Sequence, residues 1–141
     1  MSQANIDKAH EYHFSGACNC AQAVASAYAE DMGLDRATTY RLLEAMGGGV
    51  GGRHDGVCGA FSGAAAVIGW YISDGSFEGN TKKKTYEVVK EASELFIQKA
   101  GNLVCQDILD TLDKDNPKKC SPIVRIGAEV VEEILDKYEL R

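Results

Sequence analysis

The chain has 141 residues, of which 45% are hydrophobic and 26% are charged, and its formal net charge is −6. A chain of this length is expected to form one domain that buries enough surface to fold without disulfide or metal staples. The acidic balance argues against a nucleic-acid partner, because proteins that bind nucleic acids usually present a basic face.

Capping residues and the spacing of apolar residues predict an all-α, single-domain bundle of about five to seven helices. The predicted helices cover about residues 4–14, 20–32, a segment capped by Asp35, 57–73, 81–99, 103–109 and a last helix from residue 120 onward. Gly33 suits the end of the second helix, while Ser121 suits an N-cap and Pro122 the first position of the last helix. Gly59 and Gly63 lie on one face of the fourth helix, so we expect a neighbouring backbone to pack there and this helix to be central.

No stretch of the sequence predicts a membrane segment or a secretory signal. The most apolar stretch, residues 57–72, is 16 residues long and rich in glycine and alanine, whereas a spanning helix needs about 20 strongly apolar residues. The first residues lack the basic and apolar regions of a secretory signal. We therefore expect a cytoplasmic protein without membrane association, whose thiols stay reduced.

Residues 47–56 contain six glycines, which excludes a regular helix interior. This segment lacks the Lys-Ser/Thr ending of a phosphate-binding loop and follows no strand, which argues against nucleotide binding. His54 lies in it, four residues before Cys58, and is interpreted either as a solvated loop residue or as a base for the thiol. His10 and His13 share one face of the first helix, but a zinc site would need further ligands nearby.

Cysteines are the residues that point most directly to chemistry. The chain contains Cys18, Cys20, Cys58, Cys105 and Cys120. Three of them, Cys20, Cys58 and Cys120, stand at predicted helix starts, where partial positive charge and free N–H groups favour a thiolate. An odd number of cysteines fits poorly with a fully paired disulfide framework, and no Cys-x-x-Cys pair indicates a zinc ribbon or a thioredoxin motif. The alternative interpretation is that these cysteines are small buried hydrophobic side chains.

Four blocks of sequence, in order along the chain, resemble a known family. The blocks are residues 19–24 (Asn-Cys-Ala-Gln-Ala-Val), the glycines 47–49, residues 58–63 (Cys-Gly-Ala-Phe-Ser-Gly), and Cys105 with Cys120 followed by Ile123-Val124. Over nearly its whole length the chain resembles the redox-active C_GCAxxG_C_C family, named for one cysteine, a Cys-Gly-Ala-x-x-Gly motif and two further cysteines. That family is similar to a domain of an unusual cytochrome that also holds an iron–sulfur centre. The resemblance implies that Cys20, Cys58, Cys105 and Cys120 are cluster ligands, and it leaves Cys18 outside the pattern.

Two redox mechanisms are compatible with these residues. In the first, the four cysteines hold a two-iron or four-iron cluster, and backbone groups at Gly48, Gly49 and Gly59 contact this cofactor and offset its charge. In the second, no metal is bound, and Cys58 attacks a substrate or disulfide while Cys20 resolves the product. A helix dipole contributes about 0.3–1 kcal/mol, less than one pKa unit. Cys58 would therefore also need a cation such as Arg53 or His54, and this requirement favours metal ligation or strong burial over a lone reactive thiol.

These observations favour a cysteine-based redox protein that transfers electrons through an iron–sulfur cluster to a redox partner protein. The chain could itself be an oxidoreductase or a component of one, and a homo-oligomer remains an open option. The alternative from a different class is a non-redox helical domain, binding or structural, in which the cysteines only pack.

Overall fold

The computed structural model describes residues 2–141, and in this range it confirms an all-α fold. The helices are α1 (Gln3–Phe14), α2 (Cys20–Ala27), α3 (Arg36–Leu43), α4 (Gly59–Ile72), α5 (Lys82–Ala100), α6 (Cys105–Leu109) and α7 (Ser121–Lys137), and a 3₁₀ turn, Glu44–Met46, follows α3. The described residues form no strand; their one β-type contact is an isolated bridge between Val57 and Val104. None of these helices combines the length and apolar character that crossing a bilayer requires.

Helix α4 packs against α2, α5 and α7, as expected for a central helix. Small residues let the backbones come close together at these contacts. A Cβ atom added to Gly63 would lie 2.7 Å from the carbonyl oxygen of Ala21, and one added to Gly127 would lie 2.6 Å from that of Ala60. The predicted backbone contact at Gly63 is thus confirmed, and the backbone concerned belongs to α2.

Helix α2 is shorter than predicted and ends at Ala27 rather than at Met32. The N–H groups of Tyr28 and Ala29 bond to carbonyls only three residues back, which tightens the chain into successive turns. Gly33 closes these turns with a φ of +73°, a left-handed conformation that glycine adopts at little cost. The regular helix therefore ends before Gly33, and Gly33 instead ends the series of turns that follows the helix.

The start of α7 differs by one residue from the prediction. Cys120, not Ser121, is the N-cap, and its side chain makes no capping hydrogen bond. Ser121 is the first helical residue, and its hydroxyl lies 2.9 Å from Nδ1 of His13 on α1. The predicted capping role of Ser121 is wrong because this hydroxyl is engaged by a side chain from another helix.

One charged side chain of α7, Glu132, is completely buried. Its carboxylate accepts hydrogen bonds from the Tyr28 hydroxyl at 2.6 Å, from the Arg141 guanidinium and from the Ser2 backbone N–H. Burial by itself raises the pKa of Glu132, but the hydrogen bonds from Arg141, Tyr28 and Ser2 outweigh it, so the pKa is lowered overall. Glu132 is therefore a carboxylate whose charge is fully compensated by its own chain.

Candidate functional site

Four of the five cysteines line one pocket of about 200 Å³. These four are Cys20, Cys58, Cys105 and Cys120. His13, Asn19, Gly48 and His54 also line the pocket, together with apolar side chains that include Ile108 and Ile123. The fold thus gathers cysteines from widely separated parts of the chain into one place, although their chemical role stays a prediction.

Each pocket cysteine stands at the start of a different helix. Cys20 and Cys105 are the first residues of α2 and α6, and Cys58 and Cys120 are the N-caps of α4 and α7. Helix starts present unpaired N–H groups and the positive end of the helix dipole. Four helix starts therefore meet around the sulfurs, and Cys105 joins the three cysteines for which this position is predicted from sequence.

Asn19 fixes the start of α2 and with it the position of Cys20. Its side chain accepts a hydrogen bond from the Gln22 N–H at 2.9 Å, and the Gln22 side chain accepts one from the Asn19 N–H at 3.0 Å. This reciprocal arrangement is a capping box, and an Asn-x-x-Gln pattern before a helix is a recognisable sequence signal for it. The Asn19 amide also donates to the carbonyl of Glu44 at 2.8 Å, which ties α2 to the segment preceding the glycines.

Backbone hydrogen bonds place Cys58 beside Cys105. The Cys58 N–H donates to the carbonyl of Leu103 at 2.8 Å, and the Cys105 N–H donates to the carbonyl of Gly56 at 2.9 Å. Both cysteines are buried. The starts of α4 and α6 are therefore held together by the main chain, independently of any bond between the sulfurs.

The glycine-rich segment turns in the left-handed direction beside the pocket. Residues 48–52 all have positive φ angles, including Val50 at 67°, and His54 follows with 68°. A positive φ is strained for a β-branched residue such as valine, and such strain persists only where the surrounding structure imposes it. A Cβ atom on Gly49 would lie 2.8 Å from Cβ of Cys105. Glycine is thus required for this segment to approach the cysteines so closely.

The Cys-Gly-Ala-x-x-Gly motif has a physical explanation at each fixed position. Cys58 lines the pocket, and a Cβ atom on the next residue, Gly59, would lie 2.4 Å from Sγ of Cys20. Ala60 packs its backbone against Gly127 of α7, and Gly63 lies against α2. The motif therefore supplies one sulfur, makes room for a second and brings α2 and α7 close to α4.

Three of the pocket thiols, Cys58, Cys105 and Cys120, have a pKa raised above its ordinary value. Burial, followed by the neighbouring Cys20, raises the pKa of Cys58 to about 12, and the backbone N–H groups of Ala60 and Phe61 only partly oppose this rise. Burial also raises the pKa of Cys105 and of Cys120, and Cys20 contributes in both cases. At these three cysteines the helix starts thus do not offset the effect of burial on the thiol pKa.

Neither cation considered for Cys58 is arranged as a dedicated thiolate partner. Arg53 forms a salt bridge of 2.8 Å with Asp55, and its side chain is 76% exposed. His54 lines the pocket, but it lies on the exposed glycine-rich segment. Its backbone is fixed on both sides, because its N–H donates to Gly48 and its carbonyl accepts from Gln106.

His13 is a pocket residue that no local sequence pattern indicates. It is half-buried at the end of α1, and burial, followed by the charges of Lys118 and His10, lowers its pKa. Its hydrogen-bond partner, Ser121, is 108 residues away in the chain. His10, by contrast, stacks on Phe14 with ring centroids 5.6 Å apart and does not line the pocket.

Cys18 lies apart from the pocket, in a cluster of aromatic side chains. Its thiol donates to the carbonyl of Tyr12 at 3.6 Å, and the guanidinium of Arg36 lies 3.7 Å from the centre of the Tyr12 ring. Burial raises the pKa of Cys18, whereas a hydrogen bond with Tyr40 and the charge of Arg36 lower it. This position agrees with its place outside the four-cysteine pattern.

Four cysteine side chains on one pocket are a donor set of the kind that can hold an iron–sulfur cluster. Among residues 2–141, no three cysteine, histidine or carboxylate side chains lie close enough together to hold one metal ion. A tetrahedral site with metal–sulfur bonds of about 2.3 Å needs sulfurs only ~3.8 Å apart. An iron–sulfur cluster places its own iron and sulfide between the cysteines, so four thiolates can surround it across a wider pocket.

Comparison with known proteins assigns the chain to a family. The model of the family described as "Putative redox-active protein (C_GCAxxG_C_C)" matches residues 18–134, a segment that contains all five cysteines. No curated protein and no solved structure matches the chain. The resemblance noted from the four sequence blocks is thus confirmed, and the protein belongs to the redox-active C_GCAxxG_C_C family.

Proposed function

We propose that the protein carries electrons through an iron–sulfur cluster ligated by Cys20, Cys58, Cys105 and Cys120. The observation that carries this proposal is the convergence of four thiols, each at a helix start, on one pocket of about 200 Å³. Cysteine thiolates are the usual protein ligands of two-iron and four-iron clusters. A cluster with four thiolates is an anion, and N–H groups at helix starts are well suited to stabilise an anion.

The chain's own residues would hold and shield such a cofactor. When bound, a cluster supplies one-electron chemistry: one electron enters from a reduced donor protein and leaves to an oxidised acceptor protein, and no atom is transferred. The buried side chains of Ile108 and Ile123 line the pocket and would exclude water from one part of it. Gly59 allows the backbone to approach the sulfur of Cys20, and Gly49 lies against Cβ of Cys105, because neither position has a side chain.

The high pKa of Cys58 weighs against the metal-free alternative. With a pKa of about 12, only about one Cys58 side chain in 10⁵ is a thiolate at pH 7, and the thiolate is the nucleophile in disulfide exchange. Metal binding removes the thiol proton as part of the ligation step, so a high pKa lowers affinity at acidic pH without preventing binding. The burial that disfavours a free nucleophile is therefore compatible with a ligand.

The proposal is tested by the cofactor content of the full chain. Protein purified without oxygen, or reconstituted with ferrous iron and sulfide, is expected to contain both elements in comparable amounts. It should also show visible thiolate-to-iron absorbance and an electron paramagnetic resonance signal on reduction. Cys58→Ala and Cys120→Ala should lose or alter these signals, whereas Cys18→Ala, the matched control outside the pocket, should keep them. Colourless protein that holds neither iron nor sulfide after reconstitution would contradict the proposal.

A further inference from the structure

His13 is a polar pocket residue that cluster ligation by four cysteines leaves unused. It lines the same pocket as the sulfurs, and its Nδ1 lies 2.9 Å from Oγ of Ser121. Ser121 is 1% exposed and directly follows Cys120 at the start of α7. The imidazole is therefore anchored by a buried hydroxyl at the corner of the pocket where Cys120 lies.

The second ring nitrogen of His13 has no hydrogen-bond partner among the described residues. Within residues 2–141, the ring makes its hydrogen bond through Nδ1 alone. A serine hydroxyl donates as well as accepts, so Ser121 can donate to Nδ1 and leave the imidazole proton on Nε2. A histidine oriented through one nitrogen presents the other in a fixed direction, which is how residues around metal sites are commonly held.

We propose that the Nε2–H of His13 donates a hydrogen bond to the Cys120 thiolate when the cluster is bound and thereby raises the reduction potential of the cluster. This inference rests on the proposed function and adds a residue that tunes it. Reduction adds negative charge to the cluster, so a hydrogen bond to a ligand sulfur stabilises the reduced form more than the oxidised form. His54 is a poorer donor, because it is exposed, whereas His13 is half-buried and its ring is held by Ser121.

The test compares the reduction potentials of three variants with that of the wild-type, cluster-loaded protein. In His13→Leu the ratio of reduced to oxidised cluster at a fixed applied potential should fall about tenfold, which corresponds to 59 mV for a one-electron couple. His13→Gln keeps an N–H donor at a similar distance from the backbone and should recover most of that loss. His10→Leu, a matched control on the same helix outside the pocket, should leave the ratio unchanged.

A spectroscopic measurement identifies the contact itself. Pulsed electron paramagnetic resonance of the reduced protein with ¹⁵N-labelled histidine should show a weak nitrogen coupling that disappears in His13→Leu and persists in His10→Leu. Ser121→Ala removes the anchor without touching the ring, so it should lower the ratio in the same direction by a smaller factor. These readouts depend on the cluster environment and would not move if His13 only stabilised the fold.

Failures of the two proposals are distinguishable. Wild-type protein without iron and sulfide overturns the cluster and His13's role together. If the wild-type protein binds the cluster, and His13→Leu has the same reduction potential and the same nitrogen coupling as the wild-type protein, only the role of His13 is overturned. If His13→Leu does not bind the cluster, the reduction potentials of Ser121→Ala and His13→Gln test the inference instead. An unchanged potential in Ser121→Ala, together with no histidine coupling in the wild-type protein, overturns the inference.

Discussion

Helix α7 contributes to two buried polar sites, and they differ in how charge is compensated. Glu132 is completely buried and receives hydrogen bonds from Tyr28, Arg141 and Ser2, so its pKa is lowered. Cys120, at the other end of the helix, shares a pocket with three further thiols, and burial raises its pKa. The chain's own donors complete the first site and keep Glu132 ionised, whereas burial favours the protonated form of Cys120 in the second.

The largest expected effect comes from breaking the completed site. Arg141→Gln removes the guanidinium from Glu132 and leaves a buried carboxylate with fewer donors, which should lower the free energy of unfolding by about 2–4 kcal/mol. Urea unfolding of the metal-free protein measures this change. Arg53→Gln breaks an exposed ion pair with Asp55 and should cost at most about 1 kcal/mol. Equal losses in the two variants would show that the Glu132 site is not specially compensated.

The next largest expected change in the free energy of unfolding comes from disturbing the close packing of α4. Gly63→Ala would place a methyl group 2.7 Å from the Ala21 carbonyl oxygen, and such overpacking against a backbone should cost about 1–3 kcal/mol. Gly69, in the same helix, has its nearest contact at 3.8 Å, from the side chain of Thr85. Gly69→Ala should therefore stabilise the protein by about 0.5–1 kcal/mol, because alanine favours helix more than glycine does. Thermal or urea unfolding of both variants would contradict this difference if their signs agreed.

The composition of the candidate site could be predicted from the sequence better than its geometry could. Helix starts at Cys20 and Cys58 follow from local signals such as the glycine-rich segment and the following apolar helix. The convergence of Cys105 on the same pocket depends on the backbone hydrogen bond from its N–H to the carbonyl of Gly56, 49 positions away in the numbering. The spacing of residues within one helix cannot predict a contact between segments so far apart in the sequence.

Of the pocket residues that were not predicted from the sequence, one has a local sequence signal and the other depends on a distant contact. Asn19 carries a local signal, because its capping box with Gln22 lies within four consecutive residues. His13 carries none, since its place in the pocket is determined by Ser121 on a distant helix. The shortening of α2 after Ala27 was also not predictable from spacing, because the following residues suit both a helix and a series of turns.

The pH dependence of the free energy of unfolding tests whether the folded protein binds the Cys58 proton more tightly than the unfolded chain does. Cys58 has a pKa raised from its ordinary 9.0 to about 12 in the folded protein, so folding binds this proton more tightly than the unfolded chain does. Its contribution to the free energy of unfolding is complete below pH 9 and is lost as the pH rises from 9 towards 12. The expected slope is at most about 1.4 kcal/mol per pH unit.

Comparing metal-free wild-type protein with Cys58→Ala isolates this effect. Tyrosines and the other cysteines are present in both proteins, so the difference between the two stability curves reports Cys58 together with its coupling to the neighbouring cysteines. The difference should be constant below pH 9 and should shrink or change sign above it. A difference that stays constant up to pH 11 would mean that Cys58 is solvated in the folded protein.

The smallest expected change in stability comes from a comparison of two half-buried cysteines, of which only one lines the pocket. Cys18 and Cys120 are both half-buried, and burial raises the pKa of both, but only Cys120 lines the pocket. Cys18→Ala should change the free energy of unfolding by less than about 1 kcal/mol and leave bound iron unchanged, whereas Cys120→Ala should lose bound iron at a similar cost in metal-free stability. Iron analysis and urea unfolding of the two variants measure both quantities. Since both thiols are half-buried and burial raises the pKa of each, a difference in iron content would report which sulfur lines the pocket with the other three, and equal loss of iron would place Cys18 among the ligands.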